Sequence, residues 1–101
     1  MTESICEEAT RIVGGDRRQD YGGVRGSFDR IAQGWSGILG APVTGEQVAL
    51  CMLFLKVIRE SHANKRDNRV DMIGYTLCLD QMLAEGGHDG ADFGAMPDVQ
   101  A

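Results

Sequence analysis

A cluster of charged side chains in the middle of the chain has the composition of a site for an anion. Its cations are Lys56, Arg59, Lys65, Arg66 and Arg69. Lys56 and Arg59 are three positions apart, so they share one face of a helix. Guanidinium and ammonium groups gathered at one end of a helical hairpin would bind phosphate, with Asp71 orienting a cation. The competing interpretation is that Asp71 pairs with Lys56 or Arg59 and only neutralises a partly buried charge.

A glycine-rich segment from residue 17 to residue 26 is the second candidate for phosphate binding. Its candidate side chains are Arg17, Arg18, Tyr21 and Arg25. Glycines let backbone N–H groups turn toward one point, and the start of the following helix adds partial positive charge. No Walker lysine and no predicted strand accompany the segment, so a solvated turn is the competing interpretation.

The remaining reactive side chains form no recognisable catalytic set. Tyr21 or Tyr75 could meet a nucleotide base, although Tyr75 also fits a core position. His62 and His88 belong to no nucleophile–base arrangement, and the three cysteines have no C-x-x-C spacing. The sequence therefore predicts neither catalytic residues nor a bound metal or cofactor.

Four helices and no strand are predicted to position these residues. Capping boxes at Ser4 and Thr44, each with a Glu or Gln three residues later, mark the starts of the first and third helices. Ser27 is the predicted N-cap of the second helix, and glycines end the first, second and fourth. The predicted helices run over residues 2–13, 27–39, 44–62 and 68–85. The expected fold is an all-α, four-helix bundle-like single domain.

The third helix is unusual because apolar residues surround almost its whole axis between Val48 and Ile58. In so small a domain, such a helix is either fully central or shared with another copy. The sequence therefore favours a homo-oligomer. The helical domain is expected to span residues 1–87, followed by an acidic tail, 88–101, that is either mobile or a docking arm.

The charge distribution divides the chain into regions of opposite sign. All ten lysines and arginines lie in residues 11–69 with six acidic residues, whereas residues 70–101 contain six acidic residues and no Lys or Arg. The overall charge of −5 disfavours long nucleic acid, while the cationic middle favours a small anion. The longest near-continuous apolar run, from Val48 to Ile58, holds 11 residues including Lys56, where a membrane span needs about 20, and the N-terminus is acidic. A cytoplasmic protein without a membrane partner is expected.

Several of these residues also carry a resemblance to a known family. Asp20-Tyr21-Gly22, the K-x-x-R pair of Lys56 and Arg59, and Val70-Asp71-Met72-Ile73-Gly74-Tyr75 resemble an uncharacterised family of short all-α phage and prophage proteins, over about residues 5–83. More distantly, the pattern is similar to phage nucleotide-modification-associated domains and to all-α nucleoside triphosphate pyrophosphohydrolases. The resemblance implies a protein of the cytoplasm of a bacterial host cell.

The likeness to the pyrophosphohydrolases can be tested on individual residues. Those enzymes hold Mg²⁺ with E-x-x-E on one helix and E-x-x-D on the next. Here Lys56 and Arg59 occupy the first pair, and Asn68 stands three residues before Asp71. The expected function is therefore the binding and sequestration of a phosphate-bearing nucleotide, such as a nucleotide signal of host antiviral defence. The alternatives are a metal-dependent nucleotide pyrophosphohydrolase or modification-associated enzyme, and an oligomer with no ligand.

Overall fold

The computed structural model of the chain describes residues 2–15 and 23–86, and these ranges contain four α-helices and no strand. The predicted all-α fold is thereby confirmed. Arg17, Arg18, Tyr21 and the predicted tail 88–101 lie outside the described residues. The helices are α1 (Ile5–Gly14), α2 (Val24–Leu39), α3 (Gly45–His62) and α4 (Arg66–Gly86).

Two capping boxes begin α1 and α3, as the sequence predicts. The Ser4 Oγ accepts a hydrogen bond from the Glu7 N–H at 3.0 Å, and the Ser4 N–H donates to Glu7 Oε1 at 2.8 Å. Thr44 and Gln47 repeat this exchange at 3.1 and 2.9 Å. Each cap satisfies backbone donors that the first turn of a helix cannot satisfy itself, which contributes about 1 kcal/mol to stability.

The starts of three helices differ from the predicted ones, since α1 begins at Ile5 and not at residue 2, and α2 and α4 both begin earlier than predicted. α2 begins at Val24, after Gly23 with a φ of 104°, and no side chain caps it. Val24 is buried in the core, so packing extends the helix one turn before Ser27. α4 begins at Arg66, because the buried Asn68 side chain donates to Glu60 and to the Ala63 carbonyl instead of capping its own helix.

α4 is the central helix of the bundle. It packs against α3, α1 and α2. α3 runs antiparallel to it, since Lys56 pairs with Asp71 and the later Glu60 pairs with the earlier Arg69. α1 runs in the same direction as α4. The core between the helices is formed by Val13, Val24, Phe28, Ala32, Val48, Ala49, Cys78 and Met82.

α3 begins against the first half of α2 rather than beyond its end. A Cβ on Gly45 would lie 2.7 Å from Asp29 Oδ1 and 3.2 Å from the Phe28 Cβ, so the close approach of the two helices favours glycine here. The connecting segment is held back along α2 by the Val43 N–H, which donates to the Ser36 Oγ at 2.9 Å. The last turns of α2 therefore extend past the core, where Ile38 is 83% exposed.

Candidate functional site at the turn between α3 and α4

The turn between α3 and α4 is fastened by the Glu60 carboxylate. Its Oε1 accepts hydrogen bonds from the Lys65 backbone N–H at 2.9 Å and the Asn68 Nδ2 at 3.2 Å. Its Oε2 accepts from the Arg69 Nη1 at 2.6 Å. The Lys65 N–H, followed by the side chains of Arg69 and Asn68, lowers the pKa of Glu60 below its ordinary value. Glu60 is therefore ionised at neutral pH and keeps the turn in one conformation.

Lys65 and Arg69 are neighbouring cations on this turn. Lys65 immediately precedes α4 and Arg69 lies in its first turn. Both residues bind the Glu60 carboxylate, Lys65 through its backbone N–H and Arg69 through Nη1, so they lie close together. Lys65 is exposed and forms no ion pair with any described residue, and the Arg69 side chain is 44% exposed. Arg69 gives one N–H to Glu60, whereas a guanidinium carries five. Together they present positive charge to solvent with donors to spare.

Lys56 and Asp71 form an ion pair on the α3–α4 contact, with Nζ 2.8 Å from Oδ2. The Lys56 side chain is 15% exposed, so much of its charge is offset inside the protein. This is the competing interpretation of Asp71 that the sequence left open. Arg59, one turn further along α3, is exposed and forms no ion pair among the described residues.

Arg66 joins α4 to α1. Its Nη1 pairs with the Glu8 carboxylate, and its Nη2 donates to the Glu3 carbonyl at 2.7 Å. One terminal nitrogen of the guanidinium thus binds α1 and the other binds the segment just before it. Arg66 therefore faces a different neighbour from Arg69, although the two residues lie in the same turn of α4.

Arg25 lies at the junction of α2, α3 and α4 instead of at the turn. Its guanidinium donates to both Glu46 oxygens at 3.1 and 2.8 Å, to Asp29 Oδ1 at 3.3 Å and to the Met82 carbonyl at 2.9 Å. Glu46 is only 3% exposed, and its hydrogen bonds raise the pKa of Arg25. A groove of about 480 Å³ borders this junction. Two carboxylates and one guanidinium line this groove. Its net negative charge would repel a phosphate.

Tyr75 belongs to the core in this arrangement. Its ring packs edge to face against Phe28, with ring centroids 6.3 Å apart and planes at 86°. Such a pair contributes on the order of 1 kcal/mol beyond the area it buries. This packing of the partly buried Tyr75 against the core favours the alternative that the sequence gave for it.

Comparison with known proteins places the chain in a family. The sequence model of DUF6378, described as a domain of unknown function, matches residues 4–83. This protein belongs to the DUF6378 family. It is 37% identical over 86 residues to the Gene 55 protein of Mycobacterium phage D29, covering 84% of this chain and 57% of the relative. It is also 37% identical over 81 residues to the Gene 55 protein of Mycobacterium phage L5, covering 78% and 52%.

The chain thus spans about half the length of these curated phage relatives. The predicted resemblance to an uncharacterised family with phage members is confirmed at that level. No solved structure matches the chain. Among the described residues of this DUF6378 chain, no helix combines the length and hydropathy that crossing a membrane requires. The same residues contain no group of three or more His, Cys, Asp or Glu side chains placed to hold a metal ion.

The DUF6378 chain brings together only part of the predicted phosphate-binding cluster. Lys65 and Arg69 both bind Glu60. Lys56 instead pairs with Asp71, Arg66 with Glu8 and Arg25 with Glu46. The carboxylates that decide this arrangement, Glu8, Glu46 and Glu60, are the residues that sequence reasoning missed. One signal existed for Glu60, because it is an acid in the last turn of a helix, where the helix dipole disfavours negative charge. An acid at this position therefore indicates a nearby cation that offsets its charge.

Proposed function

We propose that this protein is a non-catalytic binding protein that takes a phosphate-bearing nucleotide at the turn between α3 and α4. The observation that carries the proposal is the exposed pair of Lys65 and Arg69 on a turn fixed by Glu60. An ammonium and a guanidinium on one turn offer both a point charge and forked donors to phosphate oxygens.

The bond from Arg69 to Glu60 supports this role. It orients the guanidinium before any ligand arrives, so less side-chain entropy is lost on binding. The N-terminal end of α4 adds a partial positive charge at the same place. Because the site is open to solvent, its affinity for an anion should fall as salt rises.

Sequestration is the biological role that suits such a site. A protein that holds a nucleotide without transforming it lowers the free concentration of that nucleotide in the cell. The two similar proteins are encoded by phages, and a nucleotide signal of host antiviral defence is a ligand that a phage gains from removing. The ligand in this proposal is therefore a linear or cyclic signalling nucleotide.

Isothermal titration of the full chain against a panel of linear and cyclic nucleotides tests the proposal. A Lys65→Gln/Arg69→Gln variant should lose at least tenfold in affinity for whichever nucleotide binds. An Arg11→Gln/Arg30→Gln variant is the matched control, since it removes two exposed positive charges from α1 and α2. Its affinity should stay within twofold of the unchanged protein. No binding heat at high micromolar protein, or equal losses in both variants, would contradict the proposal.

The enzymatic alternative is distinguished by a second assay. The protein is incubated with each NTP and dNTP in the presence of Mg²⁺ or Mn²⁺, and pyrophosphate is measured. A binding protein releases none above the background of the Lys65→Gln/Arg69→Gln variant. Pyrophosphate release would instead support a metal-dependent pyrophosphohydrolase.

A further inference from the structure

The outer face of α3 is apolar and uncovered. We use this name for Cys51, Phe54, Leu55, Val57 and Ile58, which are all the exposed residues of α3 between positions 51 and 58. The polar residue within this stretch, Lys56, is turned toward α4, where it pairs with Asp71. No exposed polar side chain therefore interrupts the face over two turns of helix.

The position of this face follows from helical geometry. At about 100° per residue, Cys51, Phe54, Leu55 and Ile58 fall within one arc about 100° wide. The opposite side of α3 carries the buried Ala49 and the Lys56 that faces α4. Intramolecular packing thus uses one side of α3 and leaves the other in water among the described residues.

The size of the face fits an interface between protein chains. Its four largest side chains are 37% to 64% exposed. With about 150–200 Å² for each fully exposed large apolar side chain, they leave on the order of 350 Å² of apolar surface in water. Each partner of a standard interface contributes about 800 Å², of which somewhat more than half is apolar. The outer face of α3 together with a polar rim therefore provides nearly the area that each chain contributes to a stable dimer.

We propose that the outer face of α3 binds the same face of a second copy of this chain, with the two α3 helices antiparallel. Cys51, Phe54 and Ile58 have the alternating three- and four-residue spacing of a seam between two helices. The face carries no charge, so self-pairing places no like charges opposite each other. The antiparallel orientation also separates the exposed Arg59 from Arg59 of the other copy. This proposal stands independently of nucleotide binding.

A second exposed apolar surface provides the control. Ile38, at the projecting end of α2, is more exposed than Phe54, the most exposed of the large side chains on the outer face of α3. If copies instead associated head to tail, with α3 of one against α2 of the next, Ile38 would matter as much as Phe54. The symmetric α3 pairing predicts that Ile38 does not matter.

Light scattering coupled to size-exclusion chromatography of the full chain measures the outcome. The unchanged protein should have twice the 10.9 kDa chain mass. The Phe54→Glu/Ile58→Glu variant should have the mass of one chain with unaltered helix content by circular dichroism. The Ile38→Glu variant should remain a dimer. If the unchanged protein is a monomer, the proposal is overturned, and the face is then covered by residues 87–101 or by a different protein. Dissociation by Ile38→Glu would overturn it as well.

Cross-linking gives an independent measurement that does not depend on how the glutamate variants fold. In the antiparallel pairing, Cys51 lies opposite position 58 of the other copy. A Cys6→Ser/Ile58→Cys variant should therefore form a covalent dimer under mild oxidation, because Cys6, the other exposed native thiol, is absent. The Cys6→Ser variant alone should form little. Efficient cross-linking of Cys6→Ser would indicate parallel helices and overturn the proposed orientation, and no cross-linking in either variant would overturn the interface.

Discussion

Two carboxylate–arginine pairs in this protein share their chemistry and differ in their surroundings. Glu46 holds Arg25 with both oxygens at a junction where Glu46 is buried, whereas Glu60 holds Arg69 at an exposed turn. A buried carboxylate has lost its water and depends on its partner, while an exposed pair is screened by solvent. The first pair therefore stabilises the fold, whereas the second leaves the Arg69 guanidinium available to a ligand.

Removing Arg25 should have the largest effect on stability. An Arg25→Gln variant leaves the Glu46 carboxylate buried without its bidentate partner, which should cost about 3 kcal/mol of the free energy of unfolding. Urea denaturation followed by circular dichroism measures this loss. Arg11→Gln is the control, because Arg11 makes the same two-bonded contact with Glu3 on the surface. An equal loss in the two variants would show that burial does not separate these pairs.

A smaller effect is expected from crowding the same junction. Gly45→Ala places a Cβ against Asp29 and Phe28, so the helices must move apart at a cost of about 1–3 kcal/mol. Gly37→Ala is the matched control, since a Cβ there meets nothing within 4 Å. The substitution also removes a glycine from the interior of a helix, where glycine is unfavourable. Thermal unfolding should show a lower midpoint for the first variant and an equal or higher one for the second. A Gly45→Ala protein as stable as the unchanged chain would mean that the junction is loosely packed.

The exposed turn should show its contribution through pH. The pKa of Glu60 is lowered in the folded protein from its ordinary value of 4.5, so its stabilisation is fully present above pH 4.5. That contribution is lost as pH falls through the lowered pKa of the folded state. Glu60→Gln should therefore be less stable than the unchanged protein at pH 7, and the difference should narrow in acid. Urea unfolding of both proteins at pH 7 and at acid pH measures this difference in stability. A difference that widened in acid would contradict the hydrogen bonds assigned to Glu60.

The smallest effect on stability is expected at Lys65. Lys65→Gln removes an exposed ammonium that forms no ion pair with a described residue, so the free energy of unfolding should change by less than about 0.5 kcal/mol. Thermal unfolding of the variant checks this expectation. A large loss of stability would assign Lys65 to the fold and not to a ligand. The difference between the stability losses of Arg25→Gln and Lys65→Gln measures how strongly burial distinguishes the α2–α3–α4 junction from the exposed turn.

Much of the fold was predictable because its signals are local. The capping boxes at Ser4 and Thr44 mark two helix starts through residues only three positions apart. The starts of α2 and α4 were misplaced because tertiary contacts decided them: Val24 is buried in the core, and Asn68 binds Glu60. The almost wholly apolar circumference of α3 was also visible in the sequence, and the homo-oligomer inferred from it stays a prediction.

The candidate site was less predictable than the fold. The sequence grouped the cations by their position along the chain, and Lys65 and Arg69 are neighbours for that reason. It could not show that Arg66 turns to Glu8, which lies 58 positions away. It likewise could not show that Arg25 binds Glu46, because no periodicity connects residues 21 positions apart on two helices.

The sequence by itself determined that this chain forms helices, where two of them begin, and that its middle is cationic while α3 is apolar around most of its circumference. These properties depend on residue type and on spacing within a few positions. Only the tertiary structure decided which carboxylate each cation meets and which side of α3 is left in water. Both depend on how separate helices pack, because Coulomb attraction and apolar burial act through space between residues distant in the chain.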